Sequence, residues 1–394
     1  MHESRKFLLR ATAIAGTMSV LALTFACQGV KAPVSPNPGK PLPGMQDMYV
    51  VSVNGTWDLV GFAPTASGTV ESGAMHVHRS IPMIQNRASL GALASTDSVT
   101  VTFVVTGPPT GLDLATPTYE AFDTAGDAWM SVRGTALDGS VVEYTPANQK
   151  VGDSVPPAVV IGGLQYPAGM TFDRTGNLWV LDAQTDRLVE FSSSQLAQSG
   201  SPTPAVTVSL AALNVVGSTY APFVLAIDPT GNFWVSANIQ SRAASAPGDS
   251  LADFVVAEFA SSDVQAGGTP TPLLTIATTG VFTGGYGPGI AFDSVGNLWT
   301  GNADSGTVTQ FPAASLTAGS HPQPTVRITG TDLVGISDVA IDPVGILFVA
   351  TGYGFVPGAG IFGYLPSQLT ASGTPTPAIT FIPADGLTHI ATRP

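Results

Sequence analysis

One short pattern returns five times in this chain and limits what the chain can fold into: FDTAGDAWMSV, FDRTGNLWVLD, IDPTGNFWVSA, FDSVGNLWTGN and IDPVGILFVAT. Asp123, Asp173, Asp228, Asp293 and Asp342 each precede a glycine by three residues (Gly126, Gly176, Gly231, Gly296, Gly345). Each also precedes an aromatic ring by six (Trp129, Trp179, Trp234, Trp299, Phe348). Mostly apolar runs lie before each Asp (EAF, GMTF, VLAI, GIAF, DVAI) and after each Gly. Two extended runs joined by Asp-x-x-Gly predict a tight hairpin. The Asp side chain is expected to accept backbone N–H groups inside the turn, and the Gly to supply the positive φ. The aromatic ring is expected to pack between adjacent repeats. A row of aspartates also invites a metal reading, but turns in five separate repeats do not converge on one ion.

A third run follows each hairpin and ends in an aromatic: Tyr144, Phe191, Phe259, Phe311 and Tyr364. Next comes a cassette, SQLAQSGSPTPAVTV, echoed as SDVQAGGTPTPLLTI, ASLTAGSHPQPTVRI and SQLTASGTPTPAITF. It reads as one helical turn, a glycine turn, a Pro-rich approach and a fourth strand. Successive Asp residues are 50, 55, 65 and 49 positions apart. Four antiparallel strands at such a period mark a propeller blade. MYVVSVNGTWDLVGF (48–62) aligns with the second and third strands but has no first strand before it. DGLTHIA (385–391) resembles a first strand with no blade after it. The expected fold is therefore all-β, a six-bladed β-propeller of four-stranded antiparallel blades. Its ring is closed by the C-terminal strand joining the N-terminal blade, which removes open sheet edges.

Composition agrees with short strands and tight turns. Only 10% of residues are charged, against about 25% in ordinary domains, and there are 44 Gly and 32 Pro. The net charge is −13 and no basic cluster follows residue 40, which argues against nucleic-acid partners. At the start, Arg5, Lys6 and Arg10 precede the apolar stretch 11–26, the pattern of an export signal. The single cysteine, Cys27, stands where that stretch ends and resembles the lipidated cysteine of a bacterial lipobox. Thr24 stands where such boxes prefer Leu, and cleavage after Ala26 or an uncleaved anchor are the alternatives. KAPVSPNPGKPLPG (31–44) reads as a semi-rigid spacer. The expected organisation is a signal over 1–27, a Pro-rich linker over 28–44 and the propeller over 45–394. It places the protein at the cell envelope, in contact with membrane only through its N-terminal anchor. The expected partner is a protein, peptide or glycan.

The D-x-x-G-N-L-W-V string resembles the NHL-repeat branch of six-bladed propellers, over about 45–391. The resemblance implies a fold and says little about function. Related propellers of the gluconolactonase type hold a divalent metal with Glu, Asn and Asp at inner-strand starts. The corresponding positions here are Thr118, Ala168, Phe223, Pro288, Ser337 and Asp385, of which only Asp385 is a ligand type. Streptogramin-lyase-like propellers use a His and a Glu-x-His pair, and no Glu-x-His occurs here. The expectation is a non-catalytic binding or scaffold module without a cofactor. The alternative is a metal-dependent lactonase or lyase whose ligands have moved, which would need a divalent metal.

Candidate ligand-binding residues sit where loops should gather at one face. Tyr166, Tyr220 and Tyr286 lie near inner-strand starts, and Tyr353 and Phe355 lie in TGYGFVPGAG (351–360). Such rings suit stacking on a sugar or peptide, or they cap strand ends. The insertion 238–253 belongs to the same face. Asp385 and His389 form either a channel-lining pair or ordinary packed residues. His76 and His78, in MHVH, would share one strand face and reach one metal, with Glu71 the nearest carboxylate. The alternative is an exposed polar strand face. No Gly-x-Ser-x-Gly elbow, phosphate-binding loop or paired-cysteine pattern is present.

Overall fold

The computed structural model describes residues 48–53, 57–64, 99–106, 114–134, 139–147, 156–213, 220–240, 252–277, 289–302, 305–351, 360–381 and 387–392. Their strands are, in chain order, β1 (Met48–Val53), β2 (Trp57–Pro64), β3 (Val99–Thr106), β4 (Leu114–Phe122), β5 (Ala128–Gly134), β6 (Gly139–Tyr144), β7 (Val159–Leu164), β8 (Pro167–Phe172), β9 (Leu178–Asp182), β10 (Arg187–Phe191), β11 (Val206–Ser209), β12 (Tyr220–Ile227), β13 (Phe233–Gln240), β14 (Ala252–Phe259), β15 (Leu274–Ala277), β16 (Ile290–Phe292), β17 (Leu298–Asn302), β18 (Thr307–Phe311), β19 (Val326–Thr329), β20 (Ile336–Ile341), β21 (Leu347–Thr351), β22 (Ile361–Tyr364), β23 (Ile379–Phe381) and β24 (Leu387–Thr392). Five four-stranded antiparallel sheets follow one another: β4 to β7, β8 to β11, β12 to β15, β16 to β19 and β20 to β23. A further ladder runs β24-β1-β2-β3, with Val50 opposite Ile390.

The chain is an all-β propeller of four-stranded antiparallel blades. The expected count of six is corrected to five blades with a described core. In the β24-β1-β2-β3 ladder Ile390 and Ala391 have described side chains: Ile390 is buried, and Ala391 packs against the core of the first of the five blades. The signal over 1–27 and the linker over 28–44 lie outside the described residues.

The repeated string behaves as its chemistry predicts. In each turn the Gly N–H bonds back to the Asp carbonyl, for example Gly176 to Asp173 at 3.1 Å. The five glycines have φ between 81° and 97°, a region a side chain would strain. One oxygen of each Asp caps the turn: Asp173 Oδ1 accepts the N–H groups of Thr175 (2.8 Å) and Asn177 (3.0 Å). The third-strand aromatics are sealed inside, with Tyr144, Phe191, Phe259, Phe311 and Tyr364 at most 1% exposed.

Blades are joined by the rings of the repeat. One blade's Trp packs against a Phe of the next: Trp129 with Phe172 (6.0 Å between centroids) and Trp179 with Phe233 (4.8 Å) edge to face, and Trp234 with Phe292 (5.3 Å) tilted. Such geometry adds about 0.5–1.5 kcal/mol per pair beyond area burial. The cassette supplies a second seam. Its single helical turn forms at Gln195–Ala197, Ser261–Ala266, Ala313–Ser315 and Pro366–Gln368. The glycine after it bonds to the outer strand of the preceding blade, as when Gly200 N–H reaches the Val160 carbonyl at 2.9 Å.

Candidate functional site

The first strand of each blade is an edge strand. One side pairs within the blade, and the other leaves N–H and C=O groups open. β4, β8, β12, β16 and β20, with Ile390 of β24, border one cavity of about 370 Å³. This is the central channel, and backbone polar groups face it beside the side chains.

Four of these strands break register at equivalent places. The shifts fall between Pro117 and Tyr119, between Pro167 and Met170, between Pro222 and Val224, and between Ile336 and Asp338. The residues passed over include Thr118, Ala168, Phe223 and Ser337, four of the positions aligned above with metal ligands. A bulge bends its strand and re-aims the neighbouring side chains. Ser131 repairs the break in β4: its Oγ accepts the Tyr119 N–H at 2.9 Å and donates to the Tyr119 carbonyl at 3.3 Å.

Beside two of these bulges stand the two carboxylates that border the cavity, Glu120 and Asp338. Glu120 lies three residues before its turn Asp, where the other blades have Met170, Leu225, Ile290 and Val339. Burial, and next the charge of Asp338, push its carboxyl well above the usual range. Neither of its oxygens has a hydrogen-bond partner. Asp338 is better housed. It accepts the N–H of Val339 at 2.8 Å and, from β24, the N–H of Ile390 at 3.3 Å. Gly289 makes room for it, because a Cβ there would run into Asp338 Oδ1. Tyr119 completes the group. Its phenol is raised well above its ordinary value by burial, then by Asp338, Tyr166 and Glu120.

Tyr166 is the one expected ring whose side chain is described. It is half-buried against the core, just before β8. Asp182, the last residue of β9, fixes its backbone by accepting the N–H groups of Gln165 (3.1 Å) and Tyr166 (2.7 Å). The Tyr166 carbonyl accepts the Ala183 N–H at 2.8 Å. Tyr220 begins β12 and His389 lies in β24 opposite Val51, with only their backbones described. Tyr286, Tyr353, Phe355, Asp385, His76, His78, Glu71 and Cys27 lie outside the described residues, as does most of 238–253.

Sequence reading passed over Glu120, Asp338 and Asp182. The signal was present: EAF and DVAI each carry an acid in what is otherwise an apolar inner strand. Away from the channel, Asp123, Asp127 and Glu143 bring carboxylate oxygens within 4.8 Å of one another on the first of the five blades. Burial, then Asp127 and Asp123, push the Glu143 carboxyl up to about 7.

No protein-family model matches the chain, and no curated protein does. Solved structures do resemble it. A protein from Lactobacillus plantarum is 12% identical, covering 88% of this chain and 99% of its own, with a TM-score of 0.50. A protein of unknown function from Bacteroides caccae is 10% identical, with coverages of 88% and 97% and a TM-score of 0.49. A putative 6-phosphogluconolactonase from Bacteroides uniformis is 14% identical, with coverages of 87% and 84% and a TM-score of 0.46. At such identities the likeness is one of fold.

Proposed function

We propose that this chain is an exported, lipid-anchored propeller of the NHL type that acts as a non-catalytic binding module at the cell envelope. Cys27 carries the lipid, and the Pro-rich linker over 28–44 holds the propeller off the membrane. The ligand, a peptide, glycan or protein segment, enters at the face carrying Tyr166, Tyr220, Tyr286, Tyr353 and Phe355.

The observation that carries the reading is the state of the inner-strand starts. Thr118, Ala168, Phe223 and Ser337 are the residues passed over at register shifts, and none is a carboxylate or imidazole. Beside them Tyr166 sits on a loop held by Asp182. A fixed aromatic at a channel mouth supplies contact area at little ordering cost. The test is a peptide and glycan binding screen of the purified chain, repeated with Tyr166→Ala. Binding weakened at least about tenfold by the variant, the scale of a 1.4 kcal/mol contact, supports the reading. A ligand bound equally well by both proteins places the site elsewhere and contradicts it.

A further inference from the structure

We infer that the channel site at Glu120 and Asp338 binds a small organic cation, a compact amine whose protonated nitrogen lies between the two carboxylates. The inference rests on the binding-module reading above and gives its ligand a chemical class.

The first argument is unmet bonding capacity. Glu120 lines the cavity, is 7% exposed, and leaves both oxygens without a partner. A buried polar group left unpaired is costly, and more so when charged. Asp338, 6% exposed, borders the same space. No Lys, Arg or His is among the described residues bordering it. Among the described residues the cavity therefore offers carboxylate acceptors and no positively charged side chain, and an ammonium group, with three donors and no acceptor, complements it.

The second argument is size and wall chemistry. About 370 Å³ lies in the range of about 300–1,000 Å³ typical of small-molecule sites. Twelve of the sixteen bordering residues are apolar, among them Met170, Val224, Ile290 and Phe292, and the polar side chains are Tyr119, Glu120, Thr171 and Asp338. By residue type the wall is largely apolar, yet the surface it exposes to the cavity is mostly polar, which suits a compact molecule whose cationic head makes most of the contacts. A bare divalent ion fits less well, since Ca²⁺ takes about six to eight oxygens. Among the described residues, the place where three acids converge is Asp123, Asp127 and Glu143, away from the channel.

The third argument is linkage. Burial, and next the charge of Asp338, raise the Glu120 carboxyl above its ordinary range. A cation beside it reverses that balance, so binding releases up to about one proton.

The experiment is calorimetric titration of the chain with n-butylammonium and benzylammonium against the matched alcohols, n-butanol and benzyl alcohol. Buffers of different ionisation enthalpy count the protons. The expected result is saturable amine binding with proton release, at least about tenfold tighter than the alcohol and weakened at least about tenfold in Glu120→Gln. Asp338→Asn serves as the second variant, with thermal melting to confirm that each folds. If neither variant folds, the comparison of amine with alcohol in the unaltered chain decides alone. Amine and alcohol binding equally, or no amine binding up to about 10 mM, overturns the proposal. So does stoichiometric Ca²⁺, Mg²⁺ or Zn²⁺ binding that is lost in Glu120→Gln. Chemical turnover of a bound amine would leave the cation site standing and sink the non-catalytic reading. A peptide or glycan bound through Tyr166 without any amine affinity would do the reverse.

Discussion

Asp173 holds Trp179 in place: its Oδ2 accepts the indole Nε1–H at 3.1 Å while its Oδ1 caps the turn. The same pair recurs as Asp123 with Trp129 (3.4 Å), Asp228 with Trp234 (2.9 Å) and Asp293 with Trp299 (3.2 Å). One carboxylate thus ties the hairpin to the ring that packs on the next blade. Residues six apart in the repeat are coupled by a bond as well as by spacing.

Asp173→Ala removes the turn cap and the indole partner together. It should cost about 2–4 kcal/mol by chemical denaturation, against about 1–2 kcal/mol for Asp173→Asn, which keeps one acceptor. Burial pushes this carboxyl up, but hydrogen bonds from Thr175, Trp179 and the backbone outweigh it, and the net shift is downward from 3.8. A lowered acid contributes stability that is present above its ordinary value. The contribution should fade as pH falls below about 3.8, and the stability gap between the unaltered chain and the Asp173→Asn variant should shrink with it.

Asp342 lacks that partner. Phe348 stands where the other blades have Trp, and Asp342 Oδ2 is buried without a hydrogen bond. Burial raises its carboxyl above 3.8 despite bonds from Ile346, Val344 and Gly345. A raised acid destabilises the fold at pH values above its folded value, and the penalty vanishes below 3.8. Asp342→Asn keeps a turn acceptor and loses the charge. It should gain up to about 1 kcal/mol at about pH 7 and nothing at about pH 3, read by melting at the two pH values.

Asp127 occupies the place where three of the other four repeats have Asn and the last has Ile346. Asn177 and Asn297 donate to their turn Asp at 3.1 and 2.8 Å, and Asn232 donates to Glu258 at 2.8 Å. With Asp127 there, Asp123, Asp127 and Glu143 repel one another. Asp127→Asn should stabilise by about 0.5–1 kcal/mol above about pH 7, because the site is half open to solvent. The gain should fall away as pH drops from about 7 toward 4.5, the window between the folded and the ordinary value of Glu143.

Gly289→Ala tests the packing beside the channel. The added Cβ would collide with Asp338 Oδ1 and with the Asp338 and Val339 backbone. It should cost about 1–3 kcal/mol and weaken channel binding with it, measured by melting and titration on the same samples.

The fold was legible because its signal is periodic. Asp, Gly and ring recur at fixed offsets, and each offset follows from local chemistry: a cap, a positive φ, and a side chain returning to one sheet face. The indole bond to Asp was missed, since strand periodicity carries no information about which polar atom a buried Trp finds. The channel acids were missed for a different reason. Register shifts at Thr118 and Ser337 set the residues after them on a new course. A bulge is decided by pairing across the sheet, and Ser131 of β5, which meets the break in β4, lies twelve positions from Tyr119. Metal-ligand positions carried over by alignment therefore pointed at the residues passed over rather than at Glu120 and Asp338. Of the expected aromatic site only Tyr166 has a described side chain, and its anchor, Asp182, looked like the end of an ordinary strand.

The central claim is that this propeller binds without metal-dependent catalysis, and metal analysis coupled to thermal melting tests it most directly. The chain would be assayed for bound metal, then melted with EDTA, with added Ca²⁺ and with added Zn²⁺. The account predicts no stoichiometric metal and one melting temperature throughout. A stoichiometric metal whose addition raises the melting temperature would contradict it, and would point to lactone and ester hydrolysis as the reactions to assay.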